Sequence, residues 1–363
     1  MPISDLEIRQ QLTRNNPWWS TGCVALEFAA KPKRHCFAAL FERLRSRDRR
    51  AVVLLGQRRV GKSVVVLQLI DQLLSKSGAR RGIAYLSLTA PLYTGMTLER
   101  VLHFIAAALG DEIDALQYVF FDDVQCLKDW ERQLKSVVEN YPQIRFVAIS
   151  SVDLAGNGHR KKVADNFARL SVPALSFCEF LEFCPNHRLR YQQFLSDPAV
   201  IQWQAFNQAL LDYLNFGAYP EAAFSAETDG GLTHYLVGEV IEQTLLSELP
   251  KLPDISNAAA LKQLFNTLAR NSGQVLSIDA LAKGCELDKP NMLRCVESLK
   301  SALLIGTMAG VDQFGRKPAR ARSFKAFLSS PGSDVWACRC LGSGFESADG
   351  KRGLCATDAS AMP

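Results

Sequence analysis

Between Ala51 and Ile149 the apolar residues of this chain alternate between short continuous blocks and longer stretches with helical spacing. Ala51-Val-Val-Leu-Leu55 is one such block and ends at a glycine; Ser63 to Leu74 then repeats apolar residues along one helix face, and Ile83-Ala-Tyr-Leu-Ser-Leu88 is a second block. The alternation continues through a helical pattern from Thr97 to Leu109, a block at Gln117-Tyr-Val-Phe-Phe121, a helical pattern from about Leu127 to Asn140 and a block at Arg145-Phe-Val-Ala-Ile149. Strands apolar on both faces and separated by helices predict a parallel sheet covered on both sides. Upstream, Phe37, Leu40, Phe41 and Leu44 share one helix face and predict a helical lead-in. After about Pro185 the strand blocks stop, helical patterns run to Leu249, and residues 258 to 309 read as helix, helix, helix, strand. Beyond Gly310 the chain is rich in Gly, Ser, Ala, Arg and Cys with little periodicity, which predicts a poorly ordered or truncated tail. The predicted division is a lead-in over 1–50, an α/β core over 51–185, a helical region over 186–257, a small module over 258–309 and a tail over 310–363.

The junction between the first block and the first long helix is Gly56-Gln57-Arg58-Arg59-Val60-Gly61-Lys62-Ser63, which fits G-x-x-x-x-G-K-S in the strand-to-helix setting that motif requires. Glycines there let backbone N–H groups turn toward phosphate, and the helix N-terminus adds partial positive charge. Lys62 is expected to reach the β- and γ-phosphates, and Ser63 to hold magnesium. The fold class is therefore α/β with a P-loop NTPase core. Such a site also needs a carboxylate at a neighbouring strand end, and Tyr118-Val-Phe-Phe-Asp122-Asp123 supplies two. Asp122 is the predicted magnesium residue and Asp123 the predicted catalytic acid that orients or deprotonates water. Paired acids can also mark a strand's exit to solvent. Ser150 and Ser151 end the next strand, where a hydroxyl would lie beside the γ-phosphate and report its presence; Ser150 is the predicted sensor, and a turn is the alternative.

Composition narrows the setting. With 363 residues and 48% apolar content the chain can bury a full core in two or three domains. The start lacks the layout of a secretory signal, and no apolar run approaches the roughly 18 residues that span a bilayer, so no membrane association and a cytoplasmic location are expected. Ten scattered cysteines read as reduced thiols. Cys338, Cys340 and Cys355 lack a four-ligand pattern, and no structural zinc is expected. The formal charge of +5 is modest, but ten basic residues from Lys31 to Arg59 face only Glu42 and Asp48. That run either attracts nucleic acid or an acidic partner, or forms the solvated face of a helix.

Taken together, Asn16-Pro-Trp-Trp19, the Gly56–Ser63 loop, Phe120-Phe-Asp-Asp-Val-Gln125, Ile149-Ser-Ser151, Pro173-Ala-Leu-Ser-Phe-Cys-Glu-Phe-Leu181 and Tyr213-Leu-Asn-Phe-Gly-Ala-Tyr-Pro-Glu221 resemble the AAA-type ATPases of bacteria and archaea that carry a C-terminal domain of unknown function. The resemblance implies ATP and Mg2+ as ligands and ATP hydrolysis as the activity; the absence of an Asn-Lys-x-Asp guanine-reading motif agrees with ATP. The family pattern has Asp-Glu-x-Gln where this chain has Asp122-Asp123-Val124-Gln125, and the shorter acid implies slow hydrolysis with binding intact. Arg160 and Arg169 stand where an arginine finger would, although a surface arginine is the commoner explanation. Family members usually continue into a larger mixed α/β region, of which Phe324-Lys-Ala-Phe-Leu-Ser-Ser-Pro331 would be the first strand here.

Within residues 258–309, Leu261–Arg270, Ile278–Lys283 and Asp288–Ser301 have the spacing of a helix-turn-helix, and Leu303–Met308 follows as a wing strand. Asp288 is the expected N-cap, with Pro290 in the first turn. A helical lid and a winged-helix module thus complete the predicted architecture. If the module meets DNA, Lys289, Asn291, Arg294 and Lys300 would make the contacts, with Glu297 opposing them; otherwise it packs on the core or on a protein partner. Two functions compete: a nucleotide-driven ATPase switch, and a DNA-binding regulator with nucleotide as ligand. A small-molecule kinase is disfavoured because no substrate-binding lid motif is recognisable.

Overall fold

The computed structural model describes residues 5–77, 80–110, 112–153, 166–185, 187–188, 191–192, 203–224, 238–245, 258–310 and 323–330. The chain divides into two compact units, one made of Met1–Gln57 with Gly61–Pro173, the other of Arg58–Val60 with Ala174–Pro363.

The first unit is built on β1 (Val52–Leu55), β2 (Ile83–Ser87), β3 (Tyr118–Asp122), β4 (Arg145–Ser150) and β5 (Ala168–Ser171), all parallel, in the order β2-β3-β4-β1-β5. The four apolar blocks are β1 to β4. Every residue of β1 is buried, as a strand covered on both faces must be. β4 lies between β3 and β1, so the strand ending in paired acids and the strand feeding the glycine loop are separated by the one that ends at Ser150. β5 was not foreseen: Ala-Arg-Leu-Ser is only four residues long, and at the sheet edge its burial alternates instead of being continuous. It pairs with β1 from Val52↔Ala168 to Leu55↔Ser171.

Helices α1 (Asp5–Asn15), α2 (Trp18–Thr21), α3 (Leu26–Ala29) and α4 (Cys36–Arg45) form the lead-in, and Phe37, Leu40, Phe41 and Leu44 of α4 are all buried. The Asn16-Pro-Trp-Trp19 run has a definite task. The Asn16 side chain donates to the Tyr85 carbonyl oxygen (2.8 Å) and accepts from the Tyr85 N–H (2.6 Å), while the indoles of Trp18 and Trp19 both donate to the Ile83 carbonyl (3.1 and 2.8 Å). β2 is an edge strand, and these side chains supply the partners that a further strand would otherwise give. The crossover helices are α5 (Lys62–Ser77), α6 (Leu98–Leu109) and α7 (Trp130–Asn140). Thr97 caps α6 by accepting from Arg100 N, and Gly110 ends it in the left-handed region.

Much of the basic run is scaffold. Lys33 donates to Gln72 and stands 4.2 Å from the centroid of the Phe37 ring, Arg34 is buried and donates to the Pro173 carbonyl, and Arg43 and Arg50 flank Asp48 at 2.6 and 2.8 Å. Hydrogen bonds from Arg50 hold the Asp48 carboxyl down at about 2.

In the second unit, α8 (Phe177–Phe183), α9 (Trp203–Phe216) and α10 (Pro220–Phe224) contribute to an aromatic-rich cluster that includes Leu175, Phe180, Phe183 and Ala223. Ser176 and Glu179 form a reciprocal capping box at the start of α8. Leu175 N–H donates to the Ala218 carbonyl (3.0 Å), and the Tyr213 hydroxyl donates to the Leu175 carbonyl (2.8 Å). Residue 217 is glycine of necessity, since a Cβ there would lie 2.4 Å from the Tyr213 ring. The runs Pro173–Leu181 and Tyr213–Glu221 are therefore two halves of one packing unit.

The small module comprises α11 (Ala258–Arg270), β6 (Val275–Ser277), α12 (Ile278–Gly284), α13 (Lys289–Ser301), β7 (Ile305–Ala309) and β8 (Ser323–Leu328). Its strands are antiparallel in the order β6-β8-β7. Asp288 caps α13 by accepting from Asn291 N, and Pro290 is in the first turn, as the sequence predicts. β8 corrects two expectations. It lies in the stretch read as an aperiodic tail, and it is the central strand of this sheet instead of the first strand of a separate region. Phe324 and Ala326 are buried while Ser323, Lys325 and Phe327 are exposed, a period-two pattern too short to stand out beside its surroundings. Arg160, Leu249, Pro331, the three tail cysteines and the rest of the predicted tail apart from Gly310 and 323–330 lie outside the described residues. Among the described residues no helix is long and apolar enough to cross a membrane.

Candidate functional site

The glycine loop leaves β1 at Leu55 and enters α5 at Lys62. Its first glycine donates through Gly56 N to the Ser150 carbonyl of β4 (3.3 Å), and Arg59 and Gly61 take φ values of 60° and 94° that bend the backbone into a loop. Gly56, Gln57 and Val60 are buried, Arg58, Gly61 and Ser63 are partly buried, and Arg59 is exposed. Lys62 is 7% exposed and its ammonium donates to the Gly56 and Gln57 carbonyl oxygens, both at 2.7 Å. The ammonium thus crosses the mouth of its own loop.

Asp122, at the end of β3, is 4% exposed. One carboxylate oxygen, Oδ2, accepts from the Ser63 hydroxyl and from the Tyr85 hydroxyl, each at 2.6 Å; Oδ1 accepts from Asp123 N (2.9 Å). Burial, reinforced by the neighbouring Asp123 charge, pushes this carboxyl above its ordinary range, against the hydrogen bonds from Ser63 and Tyr85 and the charge of Lys62. Burial first, and then Asp122 itself, hold the Tyr85 phenol far above its usual value, so it remains a donor. A buried carboxylate raised in this way, with a serine hydroxyl at hydrogen-bond distance, is an all-oxygen pair that a magnesium ion would stabilise. Ser63 and Asp122 therefore fit that ion.

Asp123 follows with φ 55° and ψ 46°, a left-handed conformation at the start of the 3-10 turn Val124–Cys126. Its Oδ1 accepts from Gln125 Nε2 at 2.8 Å. The same amide nitrogen donates to Ser151 Oγ (2.8 Å), and the amide oxygen accepts from Ser151 N (3.4 Å). Ser150, fully buried, has its hydroxyl engaged in a tight turn: it donates to the Val152 carbonyl (2.7 Å) and accepts from Val152 N (3.1 Å). Of the serine pair, Ser151 is the one bonded to the group that binds the acid.

The sequence reading brought together Lys62, Ser63, Asp122 and Asp123. Tyr85 and Gln125 were not assigned roles, and Ser151 entered only as one of the strand-end serine pair, of which Ser150 is the predicted sensor. Tyr85 carried a signal, a phenol in an otherwise apolar block, and Gln125 stood within a motif already noted.

Other candidates are engaged elsewhere. Arg169 pairs with Asp153. Arg59, which belongs to the second unit, pairs with Glu221 (2.6 Å) and with Glu239 (2.8 Å). Lys289 pairs with Asp279 and Lys300 with Glu297, both at 2.8 Å, and Arg294 donates to Asn291 Oδ1 at 3.4 Å.

Residues 48–181 match the family model described as an AAA domain, and residues 207–335 match one described as a domain of unknown function, DUF8612. An uncharacterized protein of Haemophilus influenzae is 19% identical over 225 residues, 62% of this chain and 52% of that protein, so the chain spans about half the length of this curated relative. Among solved structures, that of C. elegans PCH-2 aligns over 77% of this chain and 74% of its own, with 13% identity and a TM-score of 0.33.

Proposed function

We propose, from the premise that the chain is an AAA-domain protein with a domain of unknown function behind it, that it binds ATP and hydrolyses it slowly in a magnesium-dependent reaction, acting as a nucleotide-driven switch. The observation that carries this reading is the convergence of Ser63 and Tyr85 on one oxygen of the buried Asp122, with Lys62 and Asp123 as immediate sequence neighbours of the two groups.

Gly56 to Ser63 would cradle the phosphates, and Lys62 would exchange its two loop carbonyl partners for phosphate oxygens. Ser63 and Asp122 would hold Mg2+, which when bound neutralises charge on the phosphate oxygens. Asp123 would orient the attacking water. As the water oxygen bonds to the γ-phosphorus, the bond from that phosphorus to the bridging oxygen breaks, ADP leaves with the electron pair, and the water proton passes to Asp123 and then to solvent. Aspartate is one methylene shorter than glutamate and holds its carboxylate closer to the backbone, which favours slow turnover. For Ser150 to report the γ-phosphate, its hydroxyl would have to leave the turn and exchange its two hydrogen bonds with Val152 for a phosphate oxygen.

For residues 258–328, the order helix, strand, helix, helix, strand, strand supports a winged-helix reading. We assign that module to a protein partner. The alternative, a DNA-binding regulator, needs Lys289, Asn291 and Arg294 as phosphate or base contacts, and the acidic partners of Lys289 and Lys300 weigh against it.

ATP and GTP binding and phosphate release, measured on the wild-type chain, Lys62→Ala and Asp123→Ala, test the reading. ATP-selective binding that Lys62→Ala weakens, with turnover abolished in Asp123→Ala, is the expected result. No nucleotide binding by the wild type would overturn it, and binding without release would leave only a nucleotide-gated binding protein.

A further inference from the structure

We infer that Gln125 is a positioning residue of the nucleotide site, which ties the orientation of Asp123 to the end of β4. The inference rests on the reading of Asp123 as the water-orienting acid and adds to it the group that aims the acid.

Asp123 leaves β3 with a left-handed backbone, which fixes where its Cα sits but leaves two side-chain rotors to be set. Among the described residues, its carboxylate accepts one side-chain hydrogen bond, from Gln125 Nε2 to Oδ1 at 2.8 Å, and Oδ2 accepts none. One oxygen is thereby anchored and the other left to accept a hydrogen from water. The direction of the amide is dictated by chemistry at both ends. A carboxylate requires a donor, and Ser151 N–H requires an acceptor, so Nε2 must face Asp123 and Oε1 must face Ser151 N. With its second N–H given to Ser151 Oγ, the amide has both donors and its acceptor engaged.

The far end of this link lies next to the phosphate loop. Ser151 follows Ser150, the last residue of β4, which is in register with Leu55 and whose carbonyl accepts from Gly56 N. Gln125 thus joins the acid at the end of β3 to the strand on which the glycine loop rests. A shift of β4's end when the loop closes on phosphate would be passed to Asp123 through one side chain. Gln125 and Asp123 are both only partly buried, so substitutions at Gln125 leave the core intact.

The test uses the full chain as wild type, Gln125→Ala, Gln125→Glu, Ser151→Ala and the Gln125→Ala/Ser151→Ala double variant, with ATP dissociation constant, kcat and melting temperature measured for each. Gln125→Ala is expected to lower kcat by about 10- to 100-fold, the usual effect of removing a partner that orients a working ligand or acid. Its ATP dissociation constant should stay within about 2-fold and its melting temperature should be retained, a split that places the loss in the transition state. Gln125→Glu keeps the size of the side chain but sets a carboxylate against Asp123, and is expected to lose at least as much. The double variant should be no slower than Gln125→Ala, because both substitutions break one link. Turnover that survives in Gln125→Ala, or losses from the two sites that multiply as independent effects, would overturn the inference alone. A wild type that binds ATP without turning it over would overturn the hydrolysis reading and this inference with it.

Discussion

Two carboxyls of the first unit are shifted in opposite directions, and each carries its own pH dependence. Asp48 is held at about 2 by hydrogen bonds from Arg50, so the folded chain releases this proton more readily than the unfolded one. Its contribution to stability is present above the ordinary aspartate value of about 4 and is lost as pH falls toward 2. Comparing urea unfolding of wild type and Asp48→Asn across that interval should show a difference at pH 6 that closes in acid. Asp122 is held above its ordinary range by burial, so its contribution runs the other way, falling as pH rises through its raised value. Tyr85 offsets part of this cost by donating to Oδ2. Tyr85→Phe should therefore destabilise the nucleotide-free chain at neutral pH by about 1–3 kcal/mol, the cost of taking a donor from a buried acceptor, and an unchanged unfolding midpoint would contradict the role given to the phenol. At this scale the sequence was legible where a residue belongs to a spaced motif, as Lys62, Ser63 and the two acids do. Tyr85 and Gln125 act through contacts 37 residues and two residues away, and spacing alone does not announce either.

Among the elements, β1 to β4 could be read from their composition because strands buried on both faces are continuous apolar runs. β5 and β6 could not, since four-residue and three-residue edge strands leave no such run. The edge strand β2 is protected by side chains instead of by another strand, and this makes the first helices part of the sheet's stability. Asn16 is fully buried and satisfies both the N–H and the C=O of Tyr85. Asn16→Ala should cost about 2–4 kcal/mol, from two backbone groups left without partners, as read by the urea midpoint. In the second unit, Gly217→Ala forces a methyl toward the Tyr213 ring and the Phe180 ring, and is expected to cost about 1–3 kcal/mol by overpacking. A Gly217→Ala chain as stable as wild type would mean that this helix pair is less closely packed than the Tyr213 to Leu175 hydrogen bond indicates.

For the whole molecule, alternating blocks predict a parallel sheet, but strand order belongs to the folded chain; the insertion of β4 between β3 and β1 puts Ser151 within reach of Gln125. The same lesson holds for the small module, whose middle strand comes last in the chain. β8 bonds to β6 on one side and β7 on the other, and its buried Phe324 and Ala326 lie in a strand packed against α11. Without it, β6 and β7 have no partner in common and α11 loses one wall. Cys285 and Cys295 report on the core of this module: both thiols are buried and pushed up by burial, which keeps them protonated and slow to react, whereas Cys23 is exposed. In the full chain, alkylation read by mass spectrometry should label Cys23 quickly and Cys285 and Cys295 slowly. A chain ending at residue 322 should lose that contrast, with all three labelled at comparable rates. Protection that persisted at Cys285 and Cys295 would mean that the three helices hold their core without the central strand, and that the boundary first read at residue 309 was physically adequate after all.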